Sequence, residues 1–178
     1  MNIIIGDISY WGDKMKKINL KDYDDKFIDI YNSIEEIFPK SVLNQAFICK
    51  FFSNEYIVRF NEDIHYLFLI LDGRAKIYIV HENGKRALIQ FLKKGDFIGE
   101  LSLIEVEKNL KDVVAINDCT CLVIPLDSAK KYLLDDKLFL YNLSRYLGDK
   151  LLKRTAHYTA MQDYELKNRL AKYILQIE

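Results

Sequence analysis

Apolar residues between Asp24 and Phe38 recur every three or four positions, at Phe27, Ile30, Tyr31, Ile34 and Phe38, which predicts one face of a helix. Pro39 stops it, and Ser41 is placed to cap a second short helix running through Leu43, Ala46 and Phe47. The pattern then changes. Short runs rich in Ile, Val, Tyr, Phe and Leu predict strands at Glu55–Phe60, Ile64–Leu71, Ala75–Val80, Arg86–Leu92, Val113–Ile116 and Cys119–Ile124. Four of the seven glycines, Gly73, Gly84, Gly95 and Gly99, punctuate this stretch, as tight turns between strands require. Asn83-Gly84 predicts a hairpin closed by a type I′ turn, in which both central residues take positive φ. Segments 76–80 and 86–91 alternate only loosely, with apolar residues on both faces, and the turns recur about every ten residues. Together they predict an α+β fold built on a β-roll or barrel.

After Pro125 the pattern becomes helical and stays so. Asp127 and Ser128 are candidate caps for a short helix through Leu134. Asp135-Asp136 then opens a long helix to about Asp163, with negative charge at its positive dipole end. Within it Leu140, Leu147, Leu151, Tyr158 and Met161 follow a three-four register if Ser144 and Arg154 fill the remaining seam positions. At 1.5 Å per residue such a helix is about 40 Å long, more than a small roll can cover. Its apolar stripe predicts a partner, most simply its own copy across a two-fold axis.

Composition narrows the class. The 178 residues carry 26 Lys plus Arg against 26 Asp plus Glu, so a polycation gripping phosphate over its whole surface is excluded. With 50% hydrophobic and 29% charged residues the chain is globular rather than disordered. Ile3–Ile5 lacks a basic start and is broken by Gly6 and Asp7, so no signal peptide is read, and no apolar run approaches the roughly 20 residues that span a bilayer. A cytoplasmic protein with no membrane partner is expected.

Cys49, Cys119 and Cys121 are too few and odd in number for a secreted disulfide framework. Cys119 and Cys121 fall on one face of a predicted strand, where a bridge between them is geometrically poor. As small buried hydrophobes they need no function; the open chemical alternative is thiol oxidation involving Cys49. His65, His81 and His157 show no metal spacing, and no metal site is expected. The chain has no Gly-x-Ser-x-Gly elbow, phosphate-loop lysine motif or catalytic Cys/His pairing, so no enzyme is expected.

Gly73-Arg74-Ala75, Gly84-Lys85, the string Lys94-Gly95-Asp96-Phe97-Ile98-Gly99-Glu100-Leu101-Ser102-Leu103, the run from Cys119 to Pro125, the long helix and Asn168-Arg169-Leu170-Ala171 together resemble the Crp/Fnr superfamily of bacterial transcription regulators. The Asp-Cys-Thr-Cys-Leu run and the Leu-Asp-Asp-Lys-Leu-Phe-Leu helix start are similar to its YeiL-like branch. The resemblance runs from about Glu55 to the C-terminus. It implies a double-stranded β-roll (a jelly roll like that of cyclic-nucleotide-binding domains), a long dimerisation helix and a C-terminal winged helix-turn-helix. The domains so implied are a helical lead-in at 1–53, the roll with its following short helix at 54–134, the dimerisation helix at 135–164, and at 165–178 only the first helix of a truncated DNA-binding domain. DNA would then be a partner only through a domain not present in this chain, with RNA polymerase a further partner of the complete regulator. The competing expectation is a stand-alone dimeric small-molecule sensor acting through a protein partner.

The resemblance also implies an effector site. In members that bind a cyclic nucleotide, backbone N–H groups after the Gly-Glu pair hold the phosphate, the Glu takes a ribose hydroxyl, and an Arg followed by Ser or Thr completes the phosphate clamp. Gly99, Glu100 and Leu101 match the first part. The clamp is absent: Lys108, Asn109, Leu110, Lys111 and Asp112 include no arginine and no hydroxyl, and lysine offers a point charge rather than a bidentate fork. No cofactor is implied; the expectation is a small effector other than a cyclic nucleotide or, as the alternative, no ligand and another input. Candidate contacts are Gly99, Glu100, Leu101, Ser102, Lys108, Asn109 and Lys111, with Arg154 and Thr155 from the long helix. Glu100 equally suits a structural role, bonding backbone in the turn. Two copies of Arg154 meeting near a two-fold axis would repel unless an anion lay between them, so Arg154 is expected to help read an anionic effector.

Overall fold

The computed structural model describes residues 37–81, 83–106 and 111–162. The lead-in helix expected over Asp24–Phe38 and the helix expected near Leu166 lie outside these, apart from the last two residues of the former.

The described elements are α1 (Lys40–Leu43), β1 (Phe47–Phe51), β2 (Tyr56–Val58), β3 (Tyr66–Asp72), β4 (Arg74–Val80), β5 (Arg86–Lys93), β6 (Phe97–Ile98), α2 (Glu100–Leu103), β7 (Lys111–Ala115), β8 (Cys119–Pro125), α3 (Leu126–Leu133) and α4 (Lys137–Gln162). The eight strands form two antiparallel four-stranded sheets, ordered β1-β8-β3-β6 and β2-β7-β4-β5. Alternate side chains of both sheets enter one core, among them Phe51, Ile57, Phe68, Ile70, Ile77, Leu92, Val113 and Val123. This is the double-stranded roll that the resemblance implies, where the strand pattern alone left a roll or a barrel. The chain divides after Asp136 into two units, the roll with its short helices and the segment that begins with α4.

Several local expectations are corrected. Ser41 is not a cap: Pro39 occupies that position, and α1 ends at Leu43 because Phe47 enters β1. Asp127 and Ser128 lie inside α3, which is preceded by Pro125; the Ser128 hydroxyl donates to Gln45 Oε1 instead of capping. The hairpin at Asn83-Gly84 is present, but among the two only Gly84 has positive φ, and the loop is closed by His81 N–H donating to Lys85 O and Gly84 N–H to His81 O. A wider loop of this kind needs one left-handed residue, not two. The strand expected from Val113 starts earlier, at Lys111, where Ile79 on β4 is its partner.

Gly73 joins β3 to β4 at φ 88°, with the place of a Cβ only 2.3 Å from Asp118 O and 2.7 Å from Cys119 Cα. Only glycine lets the two backbones approach this closely.

Candidate effector site

β5 runs into the Lys94-Gly95-Asp96 turn, which docks on β3 through Gly95 N–H to Ile70 O (2.9 Å) and Ile70 N–H to Asp96 O (3.0 Å). Asp96 Oδ2 accepts the Lys93 N–H at 2.8 Å, stiffening the turn. Phe97 and Ile98 then pair with Leu69 and Phe68, and Gly99 follows at φ 90°. A Cβ on Gly99 would stand 2.9 Å from Tyr66 O and 3.2 Å from Ile64 Cγ2, so the glycine is required both by its dihedral and by its neighbours. Glu100, buried, opens the single turn of α2; Leu101 and Ser102 are half-buried and Leu103 is fully buried. Leu103 N–H donates to Gly99 O and Val106 N–H to Leu101 O. Glu105, at positive φ, forms an ion pair with Lys130 of α3 at 2.7 Å. That contact holds the Glu105 carboxyl below its ordinary value, chiefly by the hydrogen bond from Lys130 and then by its charge.

The structure brings Gly99, Glu100, Leu101 and Ser102 into this one turn. Lys111 is the half-buried first residue of β7, and strand alternation puts it on the same side as Val113 and Ala115, which enter the core. Lys108 and Asn109 lie outside the described residues. Arg154 and Thr155 belong to the second unit and are exposed, Thr155 Oγ1 donating to Leu151 O at 3.0 Å.

Asp112 was missed as a buried group. It alternates to the opposite side of β7 from Val113, is 3% exposed, and its Oδ1 accepts the Phe60 N–H at 2.9 Å while Oδ2 stands 3.1 Å from Arg86 Nε. The Arg86 guanidinium is held above its ordinary value, first by a hydrogen bond with Tyr56 and then by the Asp112 charge. The available signal was its place one residue before an apolar Val-Val-Ala run.

Between β2 and β3 a cleft of about 20 Å³ is lined by Ile57, Val58, Ile64, Tyr66 and Phe68 and by the polar Arg59, Glu62, Asp63 and His65. A volume near 15 Å³ suffices for one water, so this cleft admits little more. The adjoining interior is filled by edge-to-face aromatic pairs: Phe47 with Tyr66 (5.8 Å), Tyr66 with Phe68 and Phe51 with Phe68 (both 6.2 Å). Burial, and then the neighbouring Cys49, raise the Tyr66 phenol above its usual value.

On α4, Leu138, Tyr141, Leu151, Leu152 and Tyr158 are 57–71% exposed, whereas Leu140 and Leu147 are half-buried and Phe139 and Leu143 buried. The exposed apolar surface is therefore wider than the expected stripe, with Leu138, Tyr141 and Leu152 added to it. The side chain of Met161 lies outside the described set. Among the described residues no three His, Cys, Asp or Glu side chains are placed to hold a metal ion, and no helix is long and apolar enough to cross a membrane.

A two-sheet roll whose Gly-Glu turn is pinned between β6 and α2, with a long helix after it, defines a sensing module of the cyclic-nucleotide-binding type. The family described as "Cyclic nucleotide-binding domain" matches residues 48–136, half of the chain. The regulatory protein YeiL of Escherichia coli O157:H7 is 33% identical over 81% of this chain and 66% of its own length. The cAMP-activated global transcriptional regulator Vfr of Pseudomonas aeruginosa is 29% identical over 62% of this chain and 54% of its own. In fold, the c-di-GMP-responsive global regulator CLP of Xanthomonas campestris superposes with a TM-score of 0.65 at 16% identity, covering 81% of this chain and 70% of that one. The chain belongs to the Crp/Fnr superfamily through its cyclic-nucleotide-binding-like domain. It spans less than two thirds of the length of these two curated relatives.

Proposed function

We propose that this chain is the effector-sensing and dimerisation part of a Crp/Fnr-type bacterial transcription regulator that works in the cytoplasm. The observation that carries the reading is α4: it follows the roll directly and leaves five large apolar side chains more than half exposed, a surface that calls for a second copy. Residues 54–134 are the sensing roll and 135–164 the dimerisation helix, with 1–53 a lead-in and 165–178 the first helix of a DNA-binding domain. A signal at the Gly99–Asp112 region shifts the helix pair between two packings and so repositions the domains that bind DNA and contact RNA polymerase.

The effector residues of the roll are Gly99, Glu100, Leu101, Ser102 and Lys111. Glu100 offers an acceptor to a hydroxyl or amine, and Lys111 a single positive charge. This supports a small anionic effector other than a cyclic nucleotide. Native mass spectrometry of the purified gene product tests the whole reading. A dimer carrying a small molecule, together with retention of its own upstream DNA by the native regulator, is the expected result. A monomer at micromolar concentration overturns it, and a dimer whose native product ends at Glu178 points instead to a protein partner.

A further inference from the structure

β1 was not expected from the sequence, and it brings Cys49 to the other two cysteines. β1 and β8 are antiparallel, with Cys49 directly opposite Cys121 and Phe51 directly opposite Cys119. None of the three is in a disulfide, each is at most 1% exposed, and all enter the same core cluster. Cys119 Sγ lies 3.9 Å from Cys121 Sγ.

We propose that Cys49, Cys119 and Cys121 form an oxidative modification site that a hydroperoxide converts into a Cys49–Cys121 disulfide, with Cys119 as the entry thiol. Directly opposed residues of an antiparallel pair have Cα atoms about 4.5–5.5 Å apart, inside the range of about 4.4–6.8 Å that a disulfide accepts. Cys119 and Cys121 sit two apart on one strand, too far along it for an unstrained bridge. Cys119 is the first residue of β8, beside the exposed Asn117 and Asp118, and so lies nearest solvent along the strand. The hydrogen bond from Cys121 lowers the Cys119 thiol below its usual value, while the same bond and then burial push Cys121 well up.

The chemistry balances in three steps. The Cys119 thiolate attacks the peroxide; an S–O bond forms, the O–O bond breaks, and a sulfenic acid and water (or an alcohol) result. The Cys121 sulfur, giving up its proton, displaces hydroxide, which leaves as water, and the strained Cys119–Cys121 bridge forms. The Cys49 thiol then attacks Cys121, and Cys119 departs as thiolate, the better leaving group because its pKa is the lower. In sum two thiols lose two electrons and two protons, and the peroxide is reduced. The product ties β1, an edge strand of its sheet, to β8. Edge strands open locally at lower cost than central ones, which gives a small oxidant its access.

The experiment treats the reduced native protein with hydrogen peroxide, quenches with N-ethylmaleimide in denaturant, and maps peptides by mass. The expected result is a fall from three alkylatable thiols to one, a mass loss of about 2 Da before alkylation and a Cys49–Cys121 peptide pair. Cys119→Ser slows the reaction at least tenfold without removing that link, whereas Cys49→Ser abolishes it. Circular dichroism melts of both variants in reductant show that each is folded. Three thiols still alkylated, oxidation to sulfinic acid without a link, or links only between chains would each overturn the proposal. The wild-type peptide map decides it even where a variant fails to fold.

Discussion

The Phe60 N–H donates to Asp112 Oδ1 at 2.9 Å, so the loop after β2 is fastened to the first turn of β7 by a carboxylate only 3% exposed. The other oxygen, Oδ2, faces Arg86 at 3.1 Å without the alignment of a hydrogen bond. Removing the carboxylate strands a half-buried donor, which costs up to about 1–3 kcal/mol. Asp112→Ala is therefore expected to lower unfolding stability by about 2 kcal/mol, and Asp112→Asn, which keeps an acceptor for Phe60, by less than half of that. Urea denaturation of the two variants checks the order. Equal losses would mean that the charge toward Arg86, and not the bond to Phe60, is what matters.

The four turn glycines separate by what surrounds them. Gly84 and Gly95 have open space where a Cβ would stand, so alanine there bears only the positive φ, about 1 kcal/mol. Gly99→Ala adds contacts at 2.9 Å with Tyr66 O and 3.2 Å with Ile64, and about 2–3 kcal/mol is expected. Gly73→Ala meets backbone at 2.3 Å and 2.7 Å, which cannot yield without moving β8, and is expected to lose 4 kcal/mol or more, roughly the limit of ordinary point substitutions. Thermal melts of the four alanine variants should rank in that order.

β2 to β5, β7 and β8 were legible because β-branched and aromatic runs alternate with glycines that must turn. The start of α4 was legible from Asp135-Asp136 and its helical character from the long three-four spacing. β1 was not: Ala46 and Phe47 continue a helical spacing, and its pairing with β8 is made by residues far away in sequence, which no local window contains. β6, with two residues, is too short to have a period. In the site, Gly99 and Glu100 could be read from the motif, since the turn is local. Asp112 could not, because Lys111-Asp112 after a charged loop reads as solvated until the sheet buries it. The meeting of Cys49 with Cys121 was hidden for the same reason as β1.

Glu105 carries a pH dependence of known sign. Its folded-state pKa is lowered by the hydrogen bond and then the charge of Lys130. A carboxyl depressed on folding adds stability that is complete above its unfolded value and disappears as pH falls through the folded one. The Glu105–Lys130 link between the α2 turn and α3 is thus expected to persist at neutral pH and to fail in acid. Carbon-detected NMR titration of the glutamates should find Glu105 below the ordinary range and, in Lys130→Met, back within it. An unchanged Glu105 titration would show that the contact is not populated in solution.

The exposed face of α4 makes the sharpest test of assembly. Leu151 and Leu152 are 65% and 71% exposed, and Tyr158 lies two turns beyond Leu151 on the same side. Burying a leucine of this kind is worth about 1.5–3 kcal/mol, and a glutamate in its place also brings an unpaired charge to the seam. Leu151→Glu is therefore expected to weaken dimerisation at least about 100-fold, since 1.4 kcal/mol is a factor of ten. The roll, which lies in the other unit, should keep its melting behaviour apart from what the dimer itself contributes. Sedimentation equilibrium measures the change. If Leu151→Glu sediments as wild type, the seam runs along Leu138, Tyr141 and Leu152 instead, and Leu152→Glu should then be the variant that dissociates.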